Sequence, residues 1–139
     1  QLGQGSVRRE VAVPNAGDER RGRFDFLIAR DGHPPCYVEV KSVTLLLDGS
    51  WGAFPDAVSV RATRHVMELA RVRQTGGRAV LLFCVQHTGV RRVRPADHID
   101  PSYGTALRDA ATQGVEVLAY SCVIDRSGIA IGCALPVIL

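Results

Sequence analysis

The sequence of 139 residues lacks several features that would point to a particular class of protein. It has no run of 18 apolar residues and no signal-peptide pattern, so it predicts a cytoplasmic protein without a membrane partner. Its four cysteines include no C-x-x-C pair, which favours buried free thiols over a metal or disulfide site. The net charge is only +3, which allows a polyanionic partner without requiring one.

Lysine is the scarcest charged residue, since Lys41 stands alone among sixteen arginines. Lysine offers a compact ammonium with three donors, whereas the guanidinium of arginine is bulky and planar. Lys41 ends an alternating run, Cys36–Lys41, which predicts a strand. In such a strand Tyr37, Glu39 and Lys41 lie on one face, and Glu39 and Lys41 stand roughly 7 Å apart along the chain.

Asp25 interrupts the preceding apolar run, Phe24–Ile28, where an unpaired carboxylate is costly. Turn-forming residues at 31–35 predict that the two runs pair as neighbouring strands, which brings Asp25 alongside Glu39. Two carboxylates can hold Mg²⁺ or Mn²⁺, which polarises a phosphodiester while a lysine orients the attacking water. We therefore predict a nuclease-like site with Asp25, Glu39 and Lys41 as catalytic residues. The alternative is an exposed Glu39–Lys41 ion pair worth almost nothing.

Basic side chains flank this cluster in the sequence. One group precedes the strand of Asp25, and a second shares one face of a helix predicted over Val60–Gln74. Both groups suit phosphate contacts with DNA, and the alternative for each is a solvated surface. The predicted nucleic-acid-binding residues are Arg20, Arg21, Arg23, Arg61, Arg64 and His65.

The remaining patterns predict a mixed α/β sheet flanked by helices, in the order β–β–β–α–β–α–β–β. Residues 1–6 are expected to be frayed, and residues 7–139 form one domain. Glu10 lies in the first strand, where it is either an additional acid near the site or an exposed edge charge. The last predicted elements are a strand at 78–85, a helix from Pro101 to Gln113, and strands at 115–123 and 129–139. Loops are predicted at 51–56 and 90–94.

The pattern D-x(13)-E-V-K on adjacent strands resembles the PD-(D/E)XK nuclease superfamily. Five longer blocks resemble the sugar fermentation stimulation protein family: RFDFLI, CYVEVKSVTLL, FPDAVSVRATRHVMEL, RAVLLFCVQH and HIDPSYGTALRDAATQGVEVLAY. The resemblance covers about Arg8 to Leu139 and implies the restriction-endonuclease-like C-terminal domain of that family. Members usually carry an N-terminal OB-like domain and a leading helix; neither is visible here, so a fragment or an abbreviated member is expected.

The resemblance also implies residue roles. The Val40 backbone carbonyl is expected to join Asp25 and Glu39 as a metal ligand. The F-P-D-A block places Asp56 near the acidic cluster, where it is either an acid beside the metal ligands or only a helix cap. The family implies DNA binding, so the alternative function is a non-catalytic DNA-binding regulator of sugar fermentation genes. The sequence is also compatible with a homo-oligomer.

Overall fold

The structure, a computed structural model, describes residues 5–14 and 22–139 and contains nine strands and two α-helices there. The helices are α1 (Val60–Gln74) and α2 (Pro101–Thr112), and a short 3₁₀ turn covers Asp48–Ser50. Neither helix in this part of the chain is long and apolar enough to cross a membrane. The strands β1 to β9 are, in chain order, Ser6–Ala12, Arg23–Ala29, Cys36–Val43, Leu45–Leu47, Trp51–Phe54, Arg78–Val85, Arg92–Pro95, Glu116–Asp125 and Gly128–Leu135.

Six strands form the main sheet, in the order β1-β2-β3-β6-β8-β9. The central strands β3, β6 and β8 are parallel, while the strands on both margins pair antiparallel. Parallel neighbours need a crossover connection. Helix α1 lies in the connection from β3 to β6, and α2 lies in the connection from β6 to β8. The predicted mixed sheet with flanking helices is therefore confirmed.

The helices begin at residues that the sequence marks as caps. Ser59 Oγ accepts the Ala62 N–H at the start of α1, and Asp100 Oδ1 accepts the Tyr103 N–H at the start of α2. Each cap stabilises its helix by about 0.5–2 kcal/mol. Helix α1 has the predicted bounds, whereas α2 ends at Thr112, one residue before the predicted end. Local sequence thus decides where both helices lie.

Both helices pack on the same face of the main sheet, and they form the larger core cluster with it. A smaller cluster lies on the opposite face, and neither helix contributes a residue to it. The face of β3 that points toward α1 carries Tyr37, Glu39 and Lys41, as the alternation predicts. The largest fully buried side chains of the first cluster are Tyr103, Phe24, Phe83, Leu69, Leu81 and Leu107. The second is centred on Cys36, Val38 and Val80.

A second sheet, in the order β4-β5-β7, corrects the prediction of loops at 51–56 and 90–94. Strands of three or four residues are too short to show a clear period, and β5 pairs with β7, which is distant in sequence. Packing holds the sheet in place, because Gly52 lies between Val43 and Val90. An added Cβ at Gly52 would come within 2.8 Å of a Val90 methyl group.

The margins of the sheet differ slightly from the expectation. Strand β1 already includes Ser6, which was expected to be frayed, and residues 1–4 lie outside the described residues. Strand β9 lies at the edge of the main sheet, as Pro136 predicts. All four cysteines are free, but only Cys36 is fully buried. The prediction of buried thiols therefore holds in full for that residue alone.

Candidate active site

Asp25 and Glu39 come together where the pairing of β2 with β3 ends. Phe26 pairs with Val38, and continuing this antiparallel register places Asp25 opposite Glu39. The Val40 N–H donates to Asp25 Oδ2 at 2.7 Å. The carboxylate of Asp25 thus takes the place of a backbone acceptor beyond the last paired residues, and the backbone of β3 fixes its position.

Glu39 lies in the middle of β3 and is only 3% exposed. Its Oε1 accepts from Lys41 Nζ at 2.6 Å and from Nδ1 of His65 on α1. Its Oε2 is buried and has no hydrogen-bond partner among the residues that the structure describes. An unsatisfied buried polar atom costs about 1–3 kcal/mol. This oxygen therefore has an unused acceptor position inside the buried part of the site.

Two opposing influences set the pKa of Glu39. Burial by itself raises that pKa, but hydrogen bonds from His65 and Lys41 outweigh it, and the net pKa lies below the ordinary value. The carboxylate is therefore ionised at neutral pH and can only accept hydrogen bonds. It follows that His65 Nδ1 carries the proton in this contact. Lys41 Nζ, which is 3.4 Å from Nδ1, keeps hydrogens for another acceptor.

The pKa of Asp25 is shifted in the opposite direction. Burial raises the pKa most, and the neighbouring charges of Glu39 and Glu10 raise it further. The hydrogen bond from the Val40 N–H and the charge of Lys41 oppose this without cancelling it. One ammonium is thus shared between two carboxylates that lie side by side, and the site as a whole favours an additional positive charge.

The Glu39–Lys41 ion pair is largely shielded from solvent. The Lys41 side chain is 14% exposed, and that of Glu39 is more deeply buried. The exposed surface pair that the sequence left open is therefore not what the structure contains. Lys41 contacts a buried carboxylate at its ammonium, and part of its side chain remains accessible to solvent.

His65 does not lie on the exposed basic face of α1, which corrects the prediction for this residue. It is 2% exposed and points at the main sheet. The reason is visible in the spacing, because His65 falls in the stripe of Ala62, Val66 and Leu69 that packs on the sheet. This apolar spacing could have predicted that His65 is buried, but histidine is polar and was therefore assigned to the solvent-exposed face. Glu68, three residues further along α1, is also buried.

The other predicted residues have different settings. Arg23, Arg61 and Arg64 are exposed, and Arg64 lies 3.7 Å from Glu68 Oε1. Arg20 and Arg21 lie outside the described residues. On β1, Glu10 falls between the residues paired with Phe24 and Phe26, so it lies level with Asp25. Asp56 is exposed, and Ser59 instead of Asp56 caps α1.

Comparison with known proteins decides the family. The family model for the sugar fermentation stimulation protein RE domain matches residues 1–128. The chain belongs to the sugar fermentation stimulation protein family. Its relatives include the homologue from Pseudoalteromonas atlantica strain T6c, 50% identical over 99% of this chain and 56% of the relative. The homologue from Shewanella sp. strain ANA-3 is 51% identical over 98% of this chain and 56% of its own length.

A solved structure shows the same family and fold. The structure of Pyrococcus furiosus SfsA in complex with Ca²⁺ matches with a TM-score of 0.81 and 30% sequence identity. The match covers 96% of this chain and 56% of the Pyrococcus furiosus chain. The resemblance found in the sequence and the restriction-endonuclease-like fold are thereby confirmed. The chain spans about half the length of the curated relatives that it matches.

The site of this family member fits a divalent cation. Asp25 and Glu39 supply two carboxylates, and Glu39 Oε2 is buried without a described partner. The N–H and C=O of one strand residue point to the same neighbouring strand. Because the Val40 N–H points at Asp25, the Val40 carbonyl faces the same side. No group of three or more histidine, cysteine, aspartate or glutamate side chains gathers as a metal site within 5–14 and 22–139. Mg²⁺ suits such a sparse set, because it usually keeps several waters.

Proposed function

We propose that this chain is a DNA-binding, Mg²⁺- or Mn²⁺-dependent nuclease domain that hydrolyses phosphodiester bonds. The observation that carries the proposal is the geometry around Glu39. Its buried Oε2 lacks a described partner, Asp25 lies opposite on β2, and Lys41 bonds the other oxygen. An ion pair that served only stability gives no reason for an unsatisfied oxygen in a site that also holds a second acid.

The residues that would hold the metal are Asp25, Glu39 and the Val40 backbone carbonyl. When bound, the cation supplies Lewis-acid polarisation of the scissile phosphate. The family neighbour from Pyrococcus furiosus was solved in complex with Ca²⁺, which supports a cation-binding role for this domain. Like Mg²⁺, Ca²⁺ takes oxygen ligands, as the two carboxylates and the carbonyl provide.

Lys41 would act on the substrate side of the site. Its Nζ bonds Glu39 Oε1 and retains hydrogens for a second acceptor. A compact ammonium can bond both a carboxylate and a phosphate oxygen or the attacking water, and it stabilises the negative charge that develops during hydrolysis. His65 would hold the Glu39 side chain in position, because its Nδ1 bonds Oε1 while Oε2 has no described partner.

DNA would be held mainly through its phosphates. Arg61 and Arg64 are exposed on the helix that contributes His65, and Arg23 is exposed at the start of the strand that carries Asp25. The sequence places Arg20 and Arg21 just before that strand. Arginine contacts to phosphates position a duplex without reading its bases, so the binding would depend on salt and weakly on sequence. The four cysteines are free, which suits a cytoplasmic protein because the cytoplasm keeps thiols reduced.

The test is a pair of measurements on the wild type and on Asp25→Asn. Calorimetric titration with Mn²⁺ should show binding to the wild type and a large loss in the variant, and only the wild type should nick supercoiled plasmid with Mg²⁺ or Mn²⁺. Wild-type protein that binds both Mn²⁺ and DNA yet never nicks plasmid would falsify the nuclease activity. That result would favour the alternative function, a non-catalytic DNA-binding regulator of sugar fermentation genes.

A further inference from the structure

Two arginines stack on Trp51, the single tryptophan of the chain. The guanidinium carbon of Arg92 lies 4.0 Å from the centroid of the Trp51 ring, and that of Arg94 lies 4.8 Å from it. Trp51 and Arg92 are paired in the β5–β7 ladder. Arg92 and Arg94 are two residues apart on β7, so both point to one face of the second sheet, and Val93 is buried on the other.

The cluster carries positive charge that nearby acids do not neutralise. Arg92 and Arg94 are exposed, and neither forms a salt bridge with a carboxylate within the described ranges. Asp97 lies close enough to feel the charge of Arg94, but its carboxylate is bonded bidentately by Arg108. Asp48, in the turn before β5, is exposed to solvent.

Contact with the Trp51 ring restrains these arginines more than an ordinary surface arginine is restrained. A guanidinium that lies flat over an indole ring keeps its N–H groups at the rim of the stack, where they can bond a phosphate in a bidentate manner. The only hydrogen bond described for Arg92 is a long one, 3.4 Å, to the Gly49 carbonyl oxygen. Its donors are therefore largely available, and contact with the ring lowers the ordering cost of binding an anion.

The cluster lies at the end of the strand that carries the candidate active site. Gly52, next to Trp51, packs against Val43 at the end of β3. Lys41 is two residues before Val43, about 7 Å along the strand. The backbone beside Trp51 therefore lies against the end of the strand that carries Lys41.

We propose that Trp51, Arg92 and Arg94 form a nucleic-acid site that holds the phosphate backbone beside the active site. The inference rests on the proposed function in one respect, because it assumes that the chain binds DNA. It adds a specific surface on the small sheet, which is separate from the arginines of α1 and β2. The ligand is the sugar-phosphate backbone, so both single-stranded and duplex DNA should bind there.

The test uses the fluorescence of Trp51, which needs no label because no other tryptophan is present. Titration of the chain with a 20-nucleotide DNA, single-stranded or duplex, should change the emission, and added NaCl should reverse the change. Binding is measured in parallel by the anisotropy of labelled DNA over a range of salt concentrations. The variants are Arg92→Ala/Arg94→Ala, Trp51→Leu and, as a matched control, Arg126→Ala, which removes an exposed arginine from the β8–β9 turn.

The double arginine variant should bind duplex DNA at least about tenfold more weakly at 0.1 M salt, with a log–log salt slope shallower by about 1.8, since each phosphate contact adds about 0.9. Trp51→Leu should weaken binding less and leave the slope unchanged, because it removes the support and not the charge. Arg126→Ala should bind like the wild type. Melting temperatures of all variants confirm that they are folded.

Three results would overturn the site. In the first, the double variant keeps the wild-type slope while the chain still binds DNA, which leaves the proposed function standing. In the second, inorganic phosphate at the same phosphate concentration reproduces the emission change, so that the cluster is only a small-anion site. In the third, the chain shows no DNA binding at low salt, and the proposed function then fails together with the site.

Discussion

His65 Nδ1 donates a hydrogen bond to Glu39 Oε1, so a residue of α1 helps to fix the position of the buried Glu39 carboxylate on β3. Both groups are buried, and the contact joins α1 to β3 at the candidate active site. Lys41 bonds the same oxygen, and Oε2 of Glu39 is left without a described partner. The orientation of Glu39 is therefore decided by α1 as much as by the strand that carries it.

Replacing His65 tests whether this contact positions the metal ligand. Asparagine can place its side-chain amide nitrogen close to the position of Nδ1, whereas leucine cannot donate. His65→Leu should weaken Mn²⁺ binding by about 10–100-fold, as loss of partners behind metal ligands typically does. His65→Asn should recover most of the affinity. Calorimetry on both variants decides the matter, and equal losses in the two would reduce His65 to a packing role.

Asp25→Asn should alter the pH dependence of stability as well as metal binding. A carboxyl whose pKa is raised by folding, as that of Asp25 is, destabilises the folded state as pH rises through the unfolded pKa. Asparagine can still accept from the Val40 N–H but cannot ionise. Without metal, the variant should melt at or above the wild-type temperature at pH 7, and Mn²⁺ should raise the melting temperature of the wild type only.

Mn²⁺ that stabilises Asp25→Asn as much as the wild type would place the cation elsewhere. Asp109→Asn, on the exposed face of α2, is the matched control for removing one carboxylate, and its response to Mn²⁺ should equal that of the wild type.

Glu39→Gln should show the opposite pH behaviour. The pKa of Glu39 is lowered by folding below its ordinary value of 4.5, so the charged form stabilises the folded state above that pH and the benefit is lost as pH falls. The variant should lose about 1–3 kcal/mol at pH 7, because the bonds from Lys41 and His65 lose their charged acceptor. The difference from the wild type should shrink as pH falls below about 4.5. Urea unfolding between pH 3 and 7 measures it; a difference that stays constant over that range would contradict the assignment.

Lys41→Ala separates catalysis from charge neutralisation. The variant leaves the buried Glu39 carboxylate without its ammonium, so one carboxylate pKa of the pair should rise and stability at pH 7 should fall. Added Mg²⁺ should restore the stability but not the plasmid nicking, which should drop by about 100-fold or more. Lys41→Arg keeps the charge and should fold better, yet remain inactive because its head is planar and larger. Recovery of nicking in Lys41→Arg would show that charge alone suffices.

Much of this protein follows from its sequence alone. The alternation in Cys36–Lys41 and the apolar run around Asp25 predict two strands, and a short turn makes them neighbours. Antiparallel pairing of neighbouring strands then brings Asp25 beside Glu39 without further information. Ser59 and Asp100 mark the starts of both helices for the same reason, because caps and periodicity act over a few residues.

The tertiary structure decided those contacts that join residues far apart in the sequence. The second sheet joins Trp51 to Arg92, and strands this short carry no period that could reveal the pairing. The apolar stripe of α1 includes His65, but only the packing of α1 on the sheet pairs it with the Glu39 carboxylate. The stacked arginines arise in the same way, since their ring comes from another strand. Sequence fixes local geometry through backbone preference, whereas these contacts depend on which surfaces are buried together.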